Sequence, residues 1–168
     1  MQNLSVIKAS AGSGKTYTLA KLYITQLLFV KKNGKLELRN DPGYFQHILA
    51  ITFTNKATNE MKERIVKELH TLKEAPTESD YYGYFTEECS PQALEGLQNA
   101  AAQSLANILF NYSSFKVSTI DSFFQSILRS FARELDRDYN YELTLDNKYA
   151  TSMATHKFRM SFGKDAAR

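Results

Sequence analysis

Residues Ala9 to Thr16 read ASAGSGKT, the Walker A spacing with alanine in place of the first glycine. Leu4 to Lys8 (LSVIK) before it has the composition of a short strand, and a helical pattern starts at Lys15. A strand, a glycine-rich turn and a helix in that order form a phosphate cradle for specific reasons. Gly12 and Gly14 allow positive φ and a close approach of backbone to ligand. Successive amides from about Gly12 to Thr16 then turn inward as a nest, and the helix adds the positive end of its dipole. Lys15 is placed to reach the β- and γ-phosphates, and the Thr16 hydroxyl to ligate Mg²⁺. The cofactor-binding set is therefore Ala9, Ser10, Ala11, Gly12, Ser13, Gly14, Lys15 and Thr16, with Lys15 and Thr16 as its chemically active members.

Outward from this loop, the helical pattern runs from Lys15 to about Lys32, where Asn33-Gly34 reads as its end. Leu19, Tyr23 and Leu27 recur at four-residue spacing with Ala20, Ile24 and Leu28 beside them. Asp41-Pro42-Gly43 marks a turn. Ile48 to Phe53 (ILAITF) is apolar without alternation, as expected of a strand buried on both faces of a parallel sheet. A second helix is expected from about Lys56 to Lys73, with Ala57, Met61, Ile65, Leu69 and Leu72 inward. Its solvent side pairs Glu60 with Arg64 and Glu63 with Lys67. Thr77 to Cys89 is acidic and aromatic and reads as a surface loop. Ser90-Pro91 then caps a third helix reaching about Tyr112. Lys116 to Ile120 (KVSTI) is a third strand, and Asp121 to Asp136 a fourth helix with Phe124, Ile127, Leu128, Phe131 and Leu135 on one side. Beyond Asn140 only Tyr141, Leu143 and Leu145 alternate like a strand. Alternating strands and helices imply an α/β fold with a parallel sheet flanked by helices.

Composition bounds the function. The chain has 168 residues, 43% hydrophobic and 23% charged, with a net charge of +3. That suits one globular domain and excludes a polycationic nucleic-acid binder. A single cysteine, Cys89, excludes an internal disulfide framework. His47, His70 and His156 are too far apart in sequence for metal-ligand spacing. The longest apolar-leaning run, Leu22 to Val30, is far short of the ~20 residues of a membrane span. No charged-then-apolar leader opens the chain, so a cytoplasmic protein without a membrane partner is expected.

Three stretches together resemble one family. Lys8 to Ala20 (KASAGSGKTYTLA) is similar to the first motif of UvrD/Rep superfamily-one DNA helicases, especially RecB- and AddA-like subunits. Ile51 to Ala57 (ITFTNKA), followed by Glu60, Met61, Arg64 and Ile65, resembles the second motif. Ser118 to Phe123 (STIDSF) resembles the third, which in relatives reads Thr-x-His-Ser/Gly-Phe. The resemblance implies a RecA-like P-loop NTPase motor domain, ATP and Mg²⁺ as cofactors, and 3′-to-5′ translocation on single-stranded DNA. It implies that Phe53 stacks on a base while Thr54, Asn55 and Lys56 contact the sugar–phosphate backbone. Stacking of that kind tolerates any sequence and contributes ~1–3 kcal/mol per base. Two alternatives stay open here, Phe53 as a core side chain at a strand end and Asn55 as an N-cap.

Asp121 stands where relatives have histidine. It fits an N-cap of the fourth helix, the family's DNA-contact position, or a Mg²⁺-holding Walker B at the end of KVSTID. In the first two cases Thr119, Ser122 and Phe123 are the candidates for touching DNA. Gln2, seven residues before Ala9, stands at the spacing of a glutamine that reads adenine in some RecB-like relatives. No apolar strand followed by Asp-Glu occurs in the chain. The expectation is an incomplete first motor domain over residues 1–137, followed by a segment of unassigned structure at 138–168. Its partners would be single-stranded DNA, the remainder of the helicase chain, and a nuclease subunit as a further candidate. Such a piece should bind ATP with little turnover, have modest stability and tend to self-associate. Two other readings compete: a self-contained small P-loop enzyme such as a nucleotide kinase with Asp121 as Walker B, and a non-enzymatic interaction module docking through Thr77 to Cys89.

Overall fold

A computed structural model describes Val6, residues 14–131, Tyr149 and residues 151–156. The chain divides into two compact units, Met1–Gln125 and Ser126–Arg168. In the first unit, α1 (Lys15–Leu28) buries Ala20, Tyr23, Ile24, Leu27 and Leu28, the stripe its spacing predicts. The helix stops at Leu28 rather than Lys32. Phe29–Lys32 (β1) instead pairs antiparallel with Lys35–Leu38 (β2). Asn33 at φ 49° and Gly34 at φ 84° form the two-residue turn between them. Asn-Gly with both residues left-handed suits the twist of a hairpin, so the dipeptide reverses a strand here and does not terminate a helix.

The expected turn at Asp41-Pro42-Gly43 is present, its Gly43 N–H donating to Asp41 Oδ1 at 3.0 Å. A 3-10 turn, Tyr44–His47, follows with Phe45 buried. Next, β3 (Ala50–Thr52) runs parallel to β4 (Val117–Thr119), with Ala50, Ile51 and Thr52 opposite Val117, Ser118 and Thr119. The parallel pairing is as expected, but burial on both faces is not. Alternate residues of a strand share a face. Ile48 is buried and Ala50 packs against the core, whereas Leu49 and Ile51 are 43% and 42% exposed. Only one face of β3 is covered by the helical layer. At the front of the chain only Val6 of the expected Leu4 to Lys8 strand is described, and it is exposed and not in a strand.

The longest helix, α2 (Asn55–Glu74), buries Met61, Ile65, Leu69 and Leu72 and half-buries Ala57. Its ion pairs depart from the expected set. Lys56 lies 3.9 Å from Glu60, and Arg64 reaches Asp80 at 3.8 Å instead of Glu60. Both pairs are solvent-exposed enough to contribute little stability, ~0–1 kcal/mol each. Glu68 also leaves the solvent side; it is buried and accepts a 2.8 Å hydrogen bond from Ser79 Oγ.

The stretch Thr77 to Cys89 is not a loop. A 3-10 turn, Pro76–Glu78, leads into α3 (Tyr82–Glu88). Tyr81 and Phe85 are fully buried and Cys89 nearly so. These three fall at four-residue spacing, one helical face. Phe85 packs on Phe29 with ring centres 5.0 Å apart. Ser90 caps the next helix as expected, its hydroxyl accepting from Ala93 N–H at 3.2 Å. That helix is broken in two, α4 (Pro91–Glu95) and α5 (Leu97–Phe110). Gly96 sits at the break, where an added Cβ would push the Leu38 side chain aside. α5 packs along α2, burying Leu97, Ala101, Leu105 and Ile108. After a 3-10 turn at Tyr112–Ser114 the chain enters β4 and then α6 (Ile120–Phe131).

Thus the first unit is mixed α/β and mostly helical, with a two-stranded parallel sheet and a separate hairpin. Its core joins α1, α2 and α5 to Phe29, Leu36, Phe45, Tyr81 and Phe85. In the second unit, residues 126–131 complete α6 and residues 151–156 are helical. The expected strand at Tyr141, Leu143 and Leu145, the continuation of α6 to Leu135 and Asp136, and the 137/138 boundary lie outside the described residues. Among the described residues no helix is long and apolar enough to cross a membrane.

Candidate functional site

Of the eight residues of the Walker stretch, Gly14, Lys15 and Thr16 are described; Ala9, Ser10, Ala11, Gly12 and Ser13 lie outside, as does Gln2. Gly14 holds φ 76° and ψ 27° directly before α1. Space around it is open, since an added Cβ would find only Tyr17 Cβ at 3.9 Å. The left-handed backbone, not crowding, therefore asks for glycine here. Gly14 O accepts the first helical bond from Thr18 N–H at 2.9 Å. Among the described residues no side chain caps this end of α1, so the amides of its first turn are open to another acceptor. Lys15 is exposed and Thr16 half-buried at the same turn.

Thr16 opens onto a cleft of about 510 Å³. Its far wall is α2, with Glu60, Glu63, Arg64, Lys67 and Glu68, closed at one end by Asp80. The cations Arg64 and Lys67 lie in the cleft with the Walker threonine, a placement the sequence reading missed. Helical spacing pairs Arg64 with Glu60, whereas its contacts with distant Asp80 and Tyr81 turn it inward. Tyr17 is held at the rim by a 2.8 Å bond from its hydroxyl to Asp80 O. Burial pushes the Tyr81 hydroxyl up to about 12, and the adjacent Arg64 draws it partly back. Among the described residues no group of three or more His, Cys, Asp or Glu could hold a metal. Of the described residues the Thr16 hydroxyl would be a Mg²⁺ ligand here, with phosphate oxygens and water completing the shell.

A second constellation lies at the carboxyl ends of β3 and β4, where the register sets Thr52 beside Thr119. Phe53 leaves β3 with 86% of its surface exposed, so it is not a core side chain. Thr54, not Asn55, is the N-cap of α2, its hydroxyl accepting from Ala57 N–H at 3.1 Å. Asn55 opens the helix, and Lys56 is exposed one residue later. The bend is braced from behind by a 2.6 Å contact between the hydroxyls of Thr52 and Thr58.

At the end of β4, Thr119 is 7% exposed. Its hydroxyl accepts from Ser122 N–H at 3.2 Å and donates to Ser122 Oγ at 2.9 Å. Thr119 is therefore the cap of α6, the role the sequence assigned first to Asp121. Asp121 lies in the first helical turn with its side chain exposed, where the dipole favours a negative charge. Ser122 is exposed and Phe123 half-buried at the same edge. Ligands of open α/β sheets lie outside the carboxyl ends of the strands, and that edge carries Phe53, Thr54, Asn55, Lys56, Ser122 and Phe123.

Comparison with known proteins agrees with these motifs. The profile of the UvrD/REP helicase N-terminal domain matches residues 1–166. The RecBCD enzyme subunit RecB of Haemophilus influenzae is 42% identical over 65 residues, covering 39% of this chain and 5% of RecB. RecB of Escherichia coli is 34% identical over 97 residues, 55% of this chain and 8% of RecB. The ATP-dependent DNA helicase Rep of Buchnera aphidicola is 40% identical over 68 residues, 40% of this chain and 9% of Rep. The matched region is thus under a tenth of each of these relatives. Since the profile match runs over nearly the whole sequence, the chain belongs to the UvrD/REP helicase N-terminal domain family.

Proposed function

We propose that this chain is the nucleotide-binding and DNA-contacting front segment of a RecB- or Rep-type ATP-dependent DNA helicase. In the whole protein it would couple ATP hydrolysis to 3′-to-5′ movement on single-stranded DNA, in recombination or repair. The observation that carries the reading is the uncapped start of α1, with Gly14 left-handed and Thr16 facing a cleft. The amides of that turn and the Lys15 ammonium bind the phosphates. Bound Mg²⁺ would screen the phosphate charge that hydrolysis must redistribute. The Thr16 hydroxyl would be one of its ligands. Phe53 offers a ring face to a base, while Thr54, Asn55 and Lys56 bind the adjoining sugar–phosphate, with Ser122 and Phe123 along the same edge. Thr119 serves that edge by capping α6 and not by direct contact.

Hydrolysis needs a carboxylate pair for Mg²⁺ and arginines that stabilise the transferring phosphoryl group. We assign these to other parts of the full protein, and a partner subunit is inferred from the RecBCD name of its relatives. Lys15→Ala should abolish calorimetric binding of Mg²⁺-ATP, while the unaltered chain binds it with negligible turnover. Rapid turnover by the chain alone would reject the segment reading in favour of a self-contained enzyme.

A further inference from the structure

We propose that Ser79-Asp80-Tyr81 is a strut holding the phosphate-binding turn of α1 against α2, with Tyr17 and Tyr81 as positioning residues for nucleotide. The proposal rests on the phosphate reading of Gly14, Lys15 and Thr16. Tyr17 follows Thr16 directly, in the same helical turn. Two hydrogen bonds clamp it to the strut from opposite directions. Its hydroxyl donates to Asp80 O at 2.8 Å, and the Tyr81 hydroxyl donates to Tyr17 O at 3.1 Å. The two rings meet edge to face with centres 4.9 Å apart.

On its other side the strut is tied to α2. Ser79 Oγ donates to Glu68 Oε2 at 2.8 Å and accepts from Tyr81 N–H at 3.2 Å. Arg64 reaches the Asp80 carboxylate at 3.8 Å. Tyr81 is fully buried, and Glu68 and Ser79 nearly so. Burying a carboxylate is costly unless its hydrogen bonds are met. An apolar residue at position 68 would fill such a site more cheaply, but it could not hold Ser79 and through it the tyrosine. The strut thus fixes the register of the first turn of α1, and sites of this kind lose function when their supports loosen by a fraction of an ångström.

The test is calorimetric titration of the 168-residue chain with Mg²⁺-ATP and with Mg²⁺-tripolyphosphate, which touches only the phosphate-binding turn. Tyr17→Phe keeps the ring and deletes the bond to Asp80 O, and Tyr81→Phe keeps the ring and deletes the bond to Tyr17 O together with the hydroxyl's contact with Arg64. Each should weaken both ligands by a similar factor, roughly three- to tenfold from the usual worth of one hydrogen bond. Circular dichroism at the assay temperature separates this from unfolding, since a folded but less stable chain would keep its affinity. The double variant should lose less than the product of the two factors, because both bonds serve one contact. Unchanged affinity in both variants, with binding lost in Lys15→Ala, overturns the strut alone. Unchanged affinity in Lys15→Ala overturns the phosphate reading and the strut with it. Should Tyr81→Phe fail to fold, Tyr17→Phe, whose hydroxyl is near the surface, decides the matter by itself.

Discussion

Phe85 and Phe53 are the same side chain in opposite surroundings. Phe85, on α3, is fully buried against the hairpin, in ring contact with Phe29. Phe53 stands 86% exposed at the end of β3, next to the half-open face of Leu49 and Ile51. Tyr23 and Phe85 of the helical block are buried, whereas Phe53 at the strand end and Phe110 at the end of α5 stand in solvent. Ring burial contributes stability in the first region, through area removed from water and edge-to-face packing. An exposed ring contributes almost nothing to folding, but its free face can receive a planar ligand. The helical block therefore carries the fold, and the DNA contact proposed above falls to the carboxyl edge of the sheet.

Paired substitutions would break this contrast most sharply. Phe85→Ala should cost ~3–5 kcal/mol of stability, read from the urea midpoint, because the cavity lies where neighbours cannot collapse fully. A loss below about 1 kcal/mol would mean the block is looser than drawn, given the usual cost of core truncations. Phe53→Ala should leave the midpoint almost unmoved yet weaken single-stranded DNA binding by ~1–3 kcal/mol regardless of sequence. Fluorescence anisotropy with oligo-dT and a mixed-sequence strand checks both parts of that expectation. Equal binding by the variant would remove Phe53 from the recognition edge.

Two smaller effects sharpen the picture inside the block. Tyr23 is buried against Phe115 with no hydrogen-bond partner for its hydroxyl among the described residues, and burial alone raises its pKa. Tyr23→Phe should therefore keep the packing and raise stability by ~1 kcal/mol. A drop in the thermal midpoint would show that the hydroxyl is satisfied after all. The last effect is on pH. Burial raises Tyr81 from 10.0 to about 12 and Cys89 from 9.0 to about 11. The folded chain thus keeps these protons where the unfolded chain has lost them. Their contribution to stability is complete below about pH 9 and fades as pH rises through about 11 to 12. Urea midpoints at pH 8 and pH 11 should show the decline, and Cys89→Ala should remove its earlier part.

How much of this was legible depended on how local each signal was. The Gly14-Lys15-Thr16 turn and the ITFTNKA bend carry their geometry in consecutive residues, and the stripe of α2 repeats over its whole length. Asn33-Gly34 was ambiguous because the same dipeptide ends helices and reverses strands. What decides it is Leu36, buried across the hairpin beside Cys89, a partner fifty-three residues on. The spacing of Tyr81, Phe85 and Cys89 was hidden among other aromatics and acids that stay outside the core. Arg64 was assigned a neighbour on its own helix, while its partner Asp80 belongs to a segment read as a loop. Thr119 lost to Asp121 as the cap because the helix begins one residue earlier than the charge pattern suggests. Long-range contacts settle all of these except the last.

The account turns most directly on the amides that open α1. In a ¹⁵N–¹H correlation spectrum of the chain, Mg²⁺-ATP should shift Gly14, Lys15, Thr16 and Tyr17 far more than the amides of α5, and adenosine alone should not. Shifts scattered over the surface, or the same pattern from adenosine without phosphates, would contradict it.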